Sequence, residues 1–317
     1  MERVELCFPQ VNTSCMKAHR PHSEFYAAVL YVISVLTAAL NLLVIVAIAH
    51  FKQLHTPTNF LLLSLAISDF FVSILLFCQS LSIDGCWTLG DAMCAFLLVL
   101  DYFVMSASVG NMVLISIDRN MAICDPLRYA TRVTPKRTQM CVSLCWLCSL
   151  VYLTLMFRNK LLHRGSSASC YGDCVFSSSF IELAVDMVLT FIVPIAAIML
   201  LYLRVFVVAL MHLRAVRSRH AQQRGIPRKE IKAALTLGVV VAAFLVCLWP
   251  YNIYMMTGSD SDHKVSSQPF LVCLFYLNSC LNPLIYAFFY PWFRKSVKII
   301  VTLQILKRGS SSARITR

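Results

Sequence analysis

A single aspartate stands in the middle of an apolar run, LVLDYFVM (98–105), where Asp101 has no neighbour to neutralise it. Asp69 occupies the same kind of position in LSLAISDFF (63–71), and Asp186 in IELAVDMVLTFIVP (181–194), with Glu182 one turn nearer the end of that run. Asp118-Arg119 closes the run that begins with Asp101's segment, and no Lys or Arg lies deep in any of them. A charged aspartate at the centre of a membrane helix costs about 2.5–3.5 kcal/mol on insertion scales. Polar neighbours, water or a cation from outside must offset that. The chemistry such acids can do is cation binding. They face no nucleophile or acid/base partner, no Cys/His cluster has zinc spacing, and an enzyme is therefore not expected.

Depth assigns different tasks to the acids. Asp101 lies seven residues past Cys94, about 10 Å inward at 1.5 Å per residue, and Asp118 lies about 25 Å deeper, at the inner interface. Asp101, Ser108 and Arg119 share nearly one helix face. Asp69 falls near mid-membrane, where Ser108, Asn278, Ser279 and Asn282 can surround it with oxygen. It is either a hydrogen-bonded structural acid or, with Ser108, Asn278 and Asn282, the seat of a hydrated Na⁺. Asp101 and Asp186 sit at outer-half depth on different helices. If both face one cavity, a ligand with two positive charges relieves their repulsion; otherwise Asp186 faces polar atoms and Asp101 binds alone. Glu182 either widens the acidic mouth or snorkels to the surface.

The elements that must position these acids are long. Of 317 residues, 59% are hydrophobic and 14% charged, against about 25% charged in ordinary soluble domains. Runs near 25–50, 58–82, 92–117, 138–157, 179–203, 233–257 and 268–290 are each long enough to cross a bilayer. They lack period-2 alternation, so the expected fold is all-α: seven transmembrane helices. One set of alternate segments holds 21 of the 28 Lys and Arg, which makes that side cytoplasmic and puts the N-terminus outside. The net charge of +13 thus reads as topology and attraction to anionic lipid, with no nucleic-acid partner.

Residues 1–23 are expected outside, without a cleavable signal, and 24–290 form the transmembrane unit. Asn12-Thr13-Ser14 is an N-glycosylation sequon on the outer side. The segment at 204–232 reads as helix extensions around a basic turn at Gly225-Ile226-Pro227. After Pro291, WFRKSVKIIVTL reads as an amphipathic helix on the inner membrane surface, and KRGSSSARITR as a disordered tail. Of fourteen cysteines, Cys7, Cys15, Cys86, Cys94, Cys170 and Cys174 lie where disulfides persist.

Asp118-Arg119-Asn120, Trp146, Pro194, Pro250 and NPLIY (282–286) follow one another in an order that resembles the rhodopsin-like G-protein-coupled receptors. IAHFKQLHTPTNFLLLSLA (48–66) and NSCLNPLIYAFFYPWF (278–293) resemble the trace amine-associated receptors. The resemblance implies that Asp101 pairs with a ligand ammonium and that Tyr276 hydrogen-bonds it. It also implies that Asp186 is the second acid of fish members that recognise diamines. Tyr102, Tyr251, Tyr254 and Phe275 are candidates for an aromatic lining. Disulfides Cys94–Cys174 and Cys15–Cys170 are implied, with Cys7 and Cys86 unassigned. Arg119 is expected to pair with Asp118 and with Glu230 at the foot of the sixth helix, and Tyr202 and Tyr286 to support the open state.

The chain departs from the family pattern in several places. Asn120 replaces a tyrosine and Leu40 a glycine. Cys273 stands where many relatives carry tryptophan. Leu248 stands where tryptophan is usual, while Trp249 has moved next to Pro250.

The expected function is a plasma-membrane, olfactory receptor for short diamines or polyamines held between Asp101 and Asp186, in sensory-neuron cilia. It is expected to couple to a stimulatory or olfactory G protein, with no cofactor beyond an allosteric Na⁺. The alternatives are a monoamine receptor using Asp101 alone, a cation or amine transporter or channel, and a non-signalling amine scavenger. The chain shows no repeated half with broken helices of the kind that would favour transport.

Overall fold

The computed structural model describes residues 6–17, 23–83, 85–162, 170–172, 174, 179–217, 228–256, 262–313 and 315. Side chains are described throughout except at 158–162, 209–210, 212–217, 228–237, 256 and 262–268. The turn at Gly225-Ile226-Pro227 lies outside the described residues.

Ten α-helices are named here in chain order. They are α1 (Ser23–His50), α2 (Pro57–Leu81), α3 (Gly90–Cys124), α4 (Pro126–Arg132), α5 (Pro135–Leu162), α6 (Phe180–Asp186), α7 (Val193–Arg217), α8 (Arg228–Met256), α9 (Asp262–Phe289) and α10 (Pro291–Val301). Among the described residues seven segments are long and apolar enough to cross a membrane: they lie in α1, α2, α3, α5, the continuous stretch Phe180–Val208, α8 and α9. Among the described residues there is no sheet, only two isolated β-bridges. The expected seven-helix class is the observed one.

Local chemistry sets the helix starts. Pro57, Pro126 and Pro291 occupy the first turns of α2, α4 and α10, where the missing N–H costs nothing and φ is already helical. The Thr56 hydroxyl accepts from the Asn59 N–H at 3.3 Å. A capping box opens α6: the Glu182 N–H donates to the Ser179 hydroxyl at 3.3 Å and the Ser179 N–H to the Glu182 carboxylate at 3.1 Å. Glu182 therefore stitches a helix start and does not line the cavity described below.

The fifth span is not one regular helix. Between α6 and α7, Met187–Ile192 form a π-turn that begins directly after Asp186. Apolar periodicity did not announce it, because a wide turn changes hydrogen-bond register without requiring a different residue type.

Packing divides the bundle in two. The inner half is a dense cluster in which Ile48, Leu62, Met112, Ile115, Phe244 and Tyr286 are almost fully buried. The outer half packs Leu30, Val72, Leu76, Val104 and Val272 around the flank of a cavity. Leu144, Leu155, Leu200, Phe206 and Val246 point outward, as a lipid-facing perimeter requires.

Three disulfides close the outer face: Cys7–Cys86, Cys15–Cys170 and Cys94–Cys174. The pair left unassigned by the sequence ties the N-terminal segment to the α2–α3 loop. That segment also pairs by backbone with Tyr171, whose N–H donates to the Thr13 carbonyl at 2.7 Å, while the Cys15 N–H donates to the Tyr171 carbonyl at 3.0 Å. Asn12 is exposed in this segment. The Trp87 N–H donates to the Gly172 carbonyl at 2.8 Å.

The tail departs from expectation. After α10 the chain turns at Leu303 (φ 57°) and Gly309 (φ 85°) through two short 3₁₀ turns. It returns to the loop between α1 and α2, where the Ile315 N–H donates to the Gln53 side-chain oxygen at 3.1 Å. His50 and Ser310 hydrogen-bond at 2.9 Å, and Ile315 is 1% exposed. A serine- and arginine-rich composition reads as solvated chain; one buried isoleucine and two side-chain bonds hold it down instead.

Gly172 sits at φ 95°, and a Cβ there would lie 2.6 Å from the Phe8 ring. Replacing Gly172 with alanine combines a left-handed backbone cost of about 1–2 kcal/mol with displacement of Phe8. Gly172→Ala is expected to lower the melting temperature of the detergent-solubilised protein by several degrees, measured by a thiol-reactive dye on the buried inner cysteines.

Candidate functional site

A cavity of about 470 Å³ opens in the outer half between α3, α5, α6, the π-turn, α8 and α9. Asp101 from α3 and Asp186 from the end of α6 both line it. Both are half-buried. Among the described lining residues there is no Lys, Arg or His. The rest of the wall is mainly apolar or aromatic, including Tyr102, Phe157, Phe191, Tyr251 and Phe275, with Ser106, Thr190 and Asn252 as further polar groups. Cys174 also lines the cavity, held there by its disulfide to Cys94 at the start of α3.

Each acid has a phenol behind it. The Tyr276 hydroxyl on α9 donates to Asp101 Oδ1 at 3.2 Å. The Tyr152 hydroxyl on α5 donates to Asp186 Oδ1. Tyr276 stacks edge-on against Phe275 at 5.1 Å between centroids, and Phe275 lies 4.6 Å from Tyr251, giving a continuous aromatic wall beside Asp101. Tyr102 meets Phe157 edge-on at 5.1 Å on the opposite side.

The structure sorts the expected lining residues. Asp101, Asp186, Tyr102, Tyr251 and Phe275 line the cavity. Tyr276 does not; it stands behind Asp101. Tyr254 does not line it either: it lies three residues past Tyr251, and Met255 takes its place on the wall. Leu248, 3% exposed, forms part of the cavity wall with Phe191 and Val109. Trp249 is 52% exposed and faces away from the cavity, its ring 5.8 Å from Phe191. A one-residue step turns a helix by about 100°, so the displaced tryptophan points to lipid. The Asn252 side-chain amide donates to the Leu248 carbonyl at 2.9 Å beside Pro250.

Deeper in the bundle, Asp69 is fully buried and its Oδ2 accepts from the Asn282 amide at 2.8 Å. Asp69 Oδ1, Asn278 Oδ1 and Asn282 Oδ1 are buried without a hydrogen-bond partner among the described residues. Orphaned oxygens of this kind fit a cation or water. Ser108 differs from expectation: its hydroxyl donates to Ser68 at 2.8 Å, so it reaches the Asp69 region through Ser68. Asn111, absent from the expected set, is buried with its whole amide unpartnered among the described residues.

At the inner end, Arg119 Nε donates to Asp118 Oδ2 at 3.0 Å. The Thr58 hydroxyl donates to the same oxygen at 2.9 Å, and the Tyr129 hydroxyl of α4 to Oδ1 at 2.8 Å. Burial, with Asp118 beside it, pushes the Tyr129 hydroxyl up to about 12, so it remains a donor at any physiological pH. The side chain of Glu230 lies outside the described residues. Tyr202 lies near this cluster, and the hydroxyls of Tyr202 and Tyr286 are buried and unpartnered among the described residues. Asn120 donates to the Leu201 carbonyl at 3.2 Å, tying α3 to α7.

Sequence reasoning missed Tyr152, Phe157, Thr190 and Asn252. Tyr152 carried a readable signal: it is the one phenol in LVYLTLMF (150–157), in the outer half of its run.

Residues 40–286 match the family model described as "7 transmembrane receptor (rhodopsin family)". The chain is similar to trace amine-associated receptor 8b of Mus musculus, at 36% identity over 98% of this chain and 96% of that one. It is similar to trace amine-associated receptor 13c of Danio rerio, at 36% over 97% and 95%. It is similar to trace amine-associated receptor 9 of Homo sapiens, at 37% over 99% and 95%. A largely apolar cavity lined by two acids, above a buried Asp-Arg pair, inside seven membrane helices is thus carried by a chain that belongs to the rhodopsin family of seven-transmembrane receptors, among the trace amine-associated receptors.

Proposed function

We propose that this chain is a plasma-membrane receptor for protonated amines, with short aliphatic diamines or polyamines as its preferred class, signalling through a heterotrimeric G protein of the stimulatory or olfactory type. The single observation that carries the reading is that Asp101 and Asp186 line one cavity whose described wall holds no cationic side chain. The names of its relatives support the amine class. A chemosensory role in olfactory cilia goes with the same reading, as does glycosylation at the exposed Asn12.

An ammonium beside Asp101 makes a charge-assisted hydrogen bond, shorter and roughly twice as strong as a neutral one. Tyr276 keeps that carboxylate oriented. Tyr102, Tyr251 and Phe275 offer π-faces, each worth about 0.5–2 kcal/mol to a nearby cation. A second ammonium at the other end of a short alkyl chain meets Asp186, while the methylenes lie against Met105, Phe191 and Leu248. A monoamine leaves Asp186 without a charge partner from the ligand.

Binding is read at the inner face as a shift between two populations. Arg119, held by Asp118, and Tyr202 and Tyr286 with their spare hydroxyls are the groups that exchange partners as α8 moves, with Glu230 a further partner at its foot. Leu248 and Phe191 link the cavity floor to α8 in place of the usual tryptophan. The oxygens of Asp69, Asn278 and Asn282 would hold a sodium ion, with Ser108 acting through Ser68. The ion would supply the positive charge that Asp69 lacks.

Cyclic AMP dose-response curves over alkyl diamines of increasing length and matched monoamines test the reading. A length optimum is expected. Asp101→Asn should abolish both responses, a loss of 100-fold or more. Asp186→Asn should raise diamine EC50 about 10- to 100-fold, the 1.5–3 kcal/mol of a charged hydrogen bond, and move monoamine EC50 less than twofold. Equal shifts for both ligands would mean a monoamine receptor, binding without cyclic AMP a scavenger, and an amine-evoked current without G protein a transporter or channel. Separately, agonist potency should change when NaCl is replaced by a bulky monovalent salt at constant ionic strength, and Asp69→Asn should remove that dependence.

A further inference from the structure

Among the described contacts, two hydroxyls reach Asp186 from different sides. From across the bundle, the Tyr152 hydroxyl donates to its Oδ1. From its own strand of helix, the Thr190 hydroxyl donates to the Asp186 carbonyl at 2.8 Å and lies 3.5 Å from the same Oδ1. The π-turn opens immediately after Asp186, so the regular backbone ladder that would steady the residue changes register at that point.

Tyr152 belongs to a face of α5 that also touches α3. Ser149, one turn earlier, accepts from the Ser106 hydroxyl at 3.2 Å, and Ser106 lines the cavity five residues past Asp101. Phe157, further out on α5, lines the cavity and packs on Tyr102, the residue after Asp101. One helix therefore contacts the neighbourhood of Asp101 and grips Asp186 directly.

We propose that Tyr152 is the residue that sets ligand-length specificity, by fixing the Asp186 carboxylate at a set distance from Asp101. The inference rests on the two-anchor reading above. Tyr152 is absent from the cavity wall, so it positions a binding group and does not bind ligand itself. A carboxylate accepts about four hydrogen bonds, so a phenol on Oδ1 leaves capacity for an ammonium. Holding the carboxylate in advance spares the ligand the cost of ordering it. Without the phenol, Asp186 swings through several rotamers and accepts ammonium groups at several distances, each less well.

Tyr152→Phe keeps the ring and removes the donor. In the full-length receptor, the expected result is a roughly tenfold rise in EC50 for the best diamine, a flattened chain-length profile, and monoamine EC50 within twofold of the parent. The unchanged monoamine response shows that the variant folds and reaches the surface; if it does not reach the surface, Tyr152→Met is read in the same way. In an Asp186→Asn background, Tyr152→Phe should add nothing. Equal shifts for monoamines and diamines, a preserved sharp length optimum, or an additive effect in the Asp186→Asn background overturns the proposal. If Asp186→Asn is itself selective for diamines while Tyr152→Phe is silent, this inference alone fails. If Asp186→Asn is silent too, the two-anchor reading fails with it.

Discussion

Everything in the outer half of this bundle depends on two carboxylates that face one low-dielectric cavity, whose described wall carries no Lys, Arg or His. Asp101 and Asp186 each receive a phenol hydrogen bond, from Tyr276 and Tyr152. A phenol stabilises an anion; it does not neutralise it. A cavity that combines carboxylates with an aromatic and aliphatic wall suits a small ligand that pairs a positive charge with an apolar body, and the diamine proposal extends that match to both acids. Stability is thereby surrendered locally for selectivity, as buried ionisable groups in membranes commonly show.

The inner end handles the same problem in the opposite way. Asp118 has its cation built in as Arg119 and is further satisfied by Thr58 and Tyr129. That cluster needs nothing from outside. Between the two lies Asp69, with Asn282 on one oxygen and the other buried and unpartnered among the described residues. The four acids thus form a series along the membrane normal, from Asp101 and Asp186 with phenols behind them, through Asp69 with one amide, to Asp118 with its own cation. The side chains between them, Leu248, Phe191 and the dense cluster around Phe244 and Tyr286, are close-packed. Packed interiors shift between discrete arrangements more readily than they deform, which suits a ligand signal that must cross them.

Much of this was legible in the sequence, for physical reasons. A span of about 20 apolar residues has few alternatives in a bilayer, so all seven helices could be placed. An acid inside such a span stands out by its cost, so Asp69, Asp101 and Asp186 were found. A tyrosine does not stand out, because it is at home in apolar runs, and Tyr152 was missed although it touches Asp186. Tyr254 was included among the lining residues on type alone, and a three-residue step from Tyr251 takes it off the wall. Ser108 was placed near Asp69 by depth, yet hydrogen bonding sends it to Ser68. The Cys7–Cys86 pairing and the fold-back that buries Ile315 depend on long-range contacts that local pattern does not encode.

The reach of α5 has one more consequence. The helix touches α3 through Ser149 and Phe157 and Asp186 through Tyr152, while Leu144, Leu147 and Leu155 on its other side face the lipid. On the two-anchor proposal it works as a caliper whose jaws are the two carboxylates and whose back rests on the bilayer. A change of hydrocarbon thickness that tilts this helix also resets the gap between the jaws. On that proposal the surrounding membrane is a component of the chemical selectivity, and the same polypeptide need not favour the same amine in every lipid mixture.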